Sequence, residues 1–145
     1  MSKGDTFEND LLKLIFNGTA IANIADNAGT SPLGSLHVSL HTADPGEAGT
    51  QTTSEATYTS YARVAVNRVA GTGGWVVTGN SVSPGSLVSF PPCTGGTNII
   101  THFAVGTASG TSAGKILYKG TVTPNMSVST SVTPQLTTSS TITED

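Results

Sequence analysis

Charge is scarce in this chain. Six basic and nine acidic residues make up 10% of its 145 positions, where an ordinary soluble domain carries about 25%. The net charge is −3 and the basic residues are scattered, which excludes the basic patch a nucleic-acid binder needs. Cysteine is all but absent. Cys93 stands alone, so neither an intramolecular disulfide nor a cysteine-built metal cage can form. A small buried thiol is its plain reading. Aromatic residues make up only 6% of the chain, with a single tryptophan. No apolar run approaches the ~20 residues of a membrane span. The opening residues MSKGDTFEND are acidic where a secretory leader is basic, and they carry no small-residue cleavage site. The chain is therefore expected to be made in the cytoplasm and to be soluble, with no membrane partner.

What the chain does have is hydroxyls: 24 threonines and 17 serines, with 17 glycines besides. A hydrophobic fraction of 36% is too high for wholesale disorder. The length suits one domain, residues 1–145, with a core of its own. Sparse charge and abundant hydroxyls suit strands whose outward face is short and polar or meets another protein.

Periodicity gives one helix and many strands. Asp5 can cap a helix, with Glu8 three residues on as the second half of a capping-box-like pair. Phe7, Leu11, Leu14 and Ile15 form one apolar stripe, Leu12 and Phe16 widen it, and Asn17-Gly18 stops it. Such a helix serves as a lid across a sheet or as a contact to a neighbouring subunit. Residues 19–34 are small and polar, with a loop at Ala28-Gly29-Thr30-Ser31-Pro32.

From Ser35, Leu36, Val38 and Leu40 alternate with His37, Ser39 and His41, the period of a half-buried strand. Thr42 to Thr59 is polar and turn-rich, a candidate display loop. Alternation resumes at Tyr61, with Ala62, Val64 and Val66 on one side and Arg63 and Asn67 on the other.

Further strands are expected at Trp75–Thr78, from Ser81 to a stop at Pro91-Pro92, and at Lys115–Thr123. Pro124-Asn125 separates the last from Met126–Thr133, and a thin strand ends the chain within Gln135–Thr143. Asn98–Gly106 is the most apolar segment and is expected to lie centrally. About eight short strands at roughly 8–12-residue spacing, without crossover helices, predict an all-β antiparallel sandwich with one N-terminal helix.

No motif for chemistry survives a close reading. His37 and His41 share a strand face, and His102 is the only other histidine. Strand residues four apart lie roughly 13 Å from one another, too far for one zinc ion with bonds of about 2 Å. They read as polar positions on an outer face.

Gly110-Thr111-Ser112-Ala113-Gly114 matches G-x-S-x-G, but that elbow needs a following helix and a later histidine. A strand follows instead, and His102 precedes it. Asp44-Pro45-Gly46-Glu47 offers two carboxylates, too few for a calcium site, and reads as a β-turn. Asn17-Gly18-Thr19 and Asn125-Met126-Ser127 fit the glycosylation sequon without a secretory signal. Trp75, Tyr58, Tyr61 and Tyr118 could make a carbohydrate platform, but isolated strand aromatics more often pack in a core or rim. No catalytic, cofactor-binding or metal-ligating residue is expected, and the chain is expected not to be an enzyme.

Several of these segments together resemble a known family. They are the helix FENDLLKLIFNG, the strand and turn LHVSLHTADPGE, YTSYARVAV, the VSFPP stop, THFAVGTASG, KILYKGTVT and the closing TITED. In order and spacing the chain resembles small tailed-bacteriophage virion proteins, often labelled tail fibre proteins, that include podophage capsid cement (decoration) proteins. It departs from them at Thr19–Gly34.

The resemblance implies a jelly-roll-like sandwich on the outer surface of the capsid. There it would bind the major capsid protein as a homo-oligomer, dimer or trimer, and clamp adjacent capsomers. A tail or tail-fibre-associated structural protein is the alternative, and a host-glycan-binding module a third reading.

Overall fold

The computed structural model describes residues 5–21 and 33–144. The expected loop at Ala28–Pro32 lies outside them. The protein is all-β, with antiparallel sheets and one N-terminal helix, consistent with the sandwich class expected. Its elements are α1 (Asp5–Asn17), β1 (Ser35–His41), β2 (Val64–Asn67), β3 (Trp75–Thr78), β4 (Ser81–Pro84) and β5 (Val88–Ser89). They continue with β6 (Asn98–Gly106), β7 (Ile116–Val128), β8 (Gln135–Leu136) and β9 (Ile142–Thr143). The chain divides into two compact units. The first comprises Met1–Ser35, Val66–Val88 and Leu136–Asp145, the second Leu36–Ala65 and Ser89–Gln135.

In the first unit α1 packs on β3 and β4, so the helix is a lid on its own sheet. Phe16 meets Trp75 edge to face, with ring centroids 4.7 Å apart, a favoured aromatic geometry. That contact sets the helix rotation. The buried row is Glu8, Leu12 and Phe16, while Phe7, head of the expected stripe, is 40% exposed.

The end of the helix is held from a distance. Gly18 turns at a φ of 66°, and the Thr19 amide returns to the Lys13 carbonyl. Arg68 then donates to the Leu14, Ile15 and Leu33 carbonyls at 2.6, 2.6 and 2.8 Å. The last turn contains no basic residue, so Arg68 supplies the cation that orphan carbonyls at a helix C-terminus attract. Arg68→Ala is expected to cost about 2–3 kcal/mol, through charged hydrogen bonds lost to carbonyls. Circular dichroism at 222 nm, followed through urea unfolding, checks it.

β3 and β4 form a hairpin across Gly79-Asn80, with Trp75 opposite Pro84 and Thr78 opposite Ser81. Gly79 has a φ of 60°, which the first position of such a two-residue turn demands. β9 pairs on β4 through Val82 and Ile142.

The second unit is built on β1, β6 and β7, neighbours in the sheet order β2-β1-β6-β7. β6 is internal, as its apolar run implies. β7 does not stop at Pro124. It runs as one 13-residue strand, and the register jumps from Ile100 opposite Met126 to His102 opposite Thr121. Pro124 sits within that jump, where an N–H is not required; a bulge is the usual accommodation of proline in a sheet.

Other expected strands shrink. Met126–Thr133 ends as a strand at Val128, and its last residues turn at Ser131, φ 74°. That conformation costs a non-glycine residue about 1–2 kcal/mol. Ser131 is exposed, so Ser131→Gly is expected to raise stability by about 1 kcal/mol, read as a higher denaturant midpoint at unchanged slope.

Candidate functional site

The alternation in β1 predicts one buried and one solvated face, and the structure corrects this. Leu36, Val38 and Leu40 are buried, but so are Ser39 and His41, both at 0% exposure. The cover is the Thr42–Thr59 segment, which folds back beside β1. Glu55 bridges antiparallel to His41, the Ala56 amide donates to the Leu40 carbonyl and the Thr42 amide to the Ser54 carbonyl, each at 2.8 Å. The Tyr61 hydroxyl receives the Leu40 amide at 3.0 Å. The segment and Tyr61 thus do for this end of β1 what a neighbouring strand would do. Tyr61 contributes a side chain here rather than a strand residue, since β2 begins only at Val64.

A cluster of polar side chains lies between the segment and the sheet. Gln51 is fully buried. Its carboxamide donates to the His37 carbonyl (3.1 Å) and accepts the Ala108 amide (2.9 Å), while its own amide donates to Gly114 (3.0 Å). Gly106 and Gly114 make the room. A Cβ at either position would come within 2.2 Å of the Gln51 carboxamide.

Arg63, set by the alternation on the side opposite Val64 and Val66, has a side chain only 1% exposed. It grips Glu55 with two parallel bonds of 2.7 and 2.8 Å and donates to the Ala108 and Ser112 carbonyls. Such forked pairing is the strong form of a charged hydrogen bond. The Glu55 bonds hold the guanidinium protonated, and burial pushes the Tyr61 phenol, which donates to Glu55, well above its ordinary value.

His41 completes the cluster. Its Nδ1 lies 2.9 Å from the Thr53 carbonyl and its Nε2 2.9 Å from the Ser39 hydroxyl. Burial pulls its pKa below the ordinary histidine value, against an opposing pull from the Thr53 bond and Glu55. Burial and Arg63 shift His37 the same way.

The other marked residues fall into structural places. Ser112 is exposed in the turn between β6 and β7, and its carbonyl serves Arg63. Asp44 accepts the Gly46 amide at 2.8 Å, the bond of a tight turn, and pairs with Lys119 at 2.9 Å; Glu47 joins at 3.3 Å. Those bonds lower the Asp44 pKa and raise that of Lys119.

A shallow cleft of about 230 Å³ lies between the Gly46–Gly49 turn and Ile116–Lys119. Trp75 and Tyr58 are buried, and Tyr61 and Tyr118 half-buried, so these four form no open stacking platform. Cys93 is buried, its thiol directed at the Gly95 carbonyl. Among the described residues no three metal-ligating side chains converge, and no helix is long and apolar enough to cross a membrane.

The polar groups of this cluster pin loops to a sheet. The chain belongs to the family described as "Podophage GP4 fiber I protein gp80", whose model matches residues 2–143. No curated protein matches it. Family membership makes it a phage structural protein. A fibre family agrees with the tail-fibre alternative better than with the cement role that the sequence resemblance implies.

Proposed function

We propose that the protein is a non-enzymatic component of a podophage fibre, docking on other virion proteins through rigid, hydroxyl-rich surface. The family match over residues 2–143 carries this reading. The geometry supports it in two ways. Loops locked by buried bonds present a fixed surface, which lowers the ordering cost of association. The exposed tips Thr52–Ser54 and Ser109–Ala113 carry no charge, so a partner can cover them without stranding an ion. Repetition of the chain as a homo-oligomer would add avidity.

Virions separated into heads and tails, then blotted for this chain, test the proposal. Retention with the tail and fibre fraction is the expected result. Recovery on heads alone would overturn it in favour of the cement role.

A further inference from the structure

The buried cluster under the Thr42–Thr59 segment has an uneven charge balance that a single proton would upset. The Thr53 carbonyl can only accept, so the neutral His41 ring carries its proton on Nδ1 and donates there. Its Nε2 then accepts the Ser39 hydroxyl. From every side the facing groups are few. They are Ser39 on its own strand, Thr53 and Glu55 on the covering segment, Arg63, and His102 directly opposite on β6.

The one anion among them, Glu55, already holds the Arg63 guanidinium with both oxygens. A second proton on His41, itself 0% exposed, would put two cations on the single Glu55 carboxylate, whose side chain is 13% exposed. It would also turn the Ser39 proton away toward the Ala104 carbonyl, a long contact at 3.4 Å. Buried uncompensated charge is expensive, and the ring reaches water only if the segment over it lifts.

We propose that His41 is a proton-sensitive latch, holding the Thr42–Thr59 segment down while neutral and releasing it in mildly acidic solution. The sign follows from linkage. The closed state disfavours the imidazolium, so the lifted state takes up the proton first, and closure weakens as pH falls below the ordinary histidine pKa of about 6.5. The inference stands on the second unit's own geometry and is independent of which virion partner the protein meets.

Hydrogen exchange of the Thr42, Gln51 and Ala56 amides, all bonded within this cover, reads the latch at about pH 7.5 and about pH 5. After correction for intrinsic rates, protection of these amides is expected to fall on acidification. The limit is about tenfold for each unit by which the closed-state pKa lies below that of an exposed histidine. His41→Gln is expected to abolish the pH dependence, while His37→Gln and His102→Gln keep it.

Equal protection at both pH values in the wild-type chain would overturn the proposal. So would a dependence that survives His41→Gln or vanishes in His37→Gln. If His41→Gln does not fold, NMR titration of the wild-type His41 ring decides. A ring pKa at or above that of an exposed histidine contradicts the latch.

Discussion

Glu55→Ala is expected to lose about 3–5 kcal/mol of folding stability, the range for breaking a buried pair by removing one partner. The damage lies less in the attraction lost than in what remains. The Arg63 side chain, 1% exposed, keeps its charge with only the Ala108 and Ser112 carbonyls as acceptors, and the Tyr61 hydroxyl loses the carboxylate it donates to. At roughly 3 °C per kcal/mol for a chain of this size, the melting temperature falls by about 10–15 °C. Replacing both partners by Met is expected to cost less than Glu55→Ala alone, because no charge is then stranded. Calorimetry on the three proteins checks this. A double variant as damaged as the single one would show that packing, not the orphaned cation, sets the cost.

Gly106→Ala is expected to be nearly as severe although it adds one methyl group. The new Cβ would lie 2.2 Å from the Gln51 carboxamide carbon and 2.5 Å from its oxygen, well inside van der Waals contact. Gln51 cannot swing aside cheaply, because it is fully buried and bonded to His37 and Ala108. Displacing it forfeits two bonds and leaves a buried carbonyl and amide unpaired, at about 1–3 kcal/mol each. A total near 3 kcal/mol follows, read as a lower urea midpoint. In Gln51→Ala/Gly106→Ala the clash disappears, so the two changes together should cost less than the sum of the two separately. Simple additivity in that double-mutant cycle would mean that Gly106 is needed for its backbone, not for the space it leaves.

What sequence reasoning recovers and what it misses divide along a physical line. The helix is found at Asp5–Asn17, since a cap, an apolar stripe and Asn17-Gly18 are all local. The internal place of β6 follows from an apolar run, also local. Binary patterning fails where a polar residue is buried because a distant segment satisfies it. Ser39, His41 and Arg63 look solvated along the strand, yet Thr53, Glu55 and Gln51 enclose them from the segment that reads as a display loop. Gly106 and Gly114 were the available signal, since glycine at a strand end often marks close approach by another part of the chain. The helix rotation is missed for the same reason. Phe16 turns inward to meet Trp75, a partner 59 positions away in the chain.

The family resemblance was legible across nearly the whole chain. Its motifs point to the cement role, whereas the family that matches is described as a fibre one. Fold alone does not encode where on a virion a chain docks.

The location of the chain in the particle tests the central claim most directly. A cryo-EM map of the intact podophage virion, resolved well enough to place a 14.6 kDa chain, is expected to show it within a fibre assembly. Density for it lying over capsomer junctions, and none in the fibres, would contradict the account.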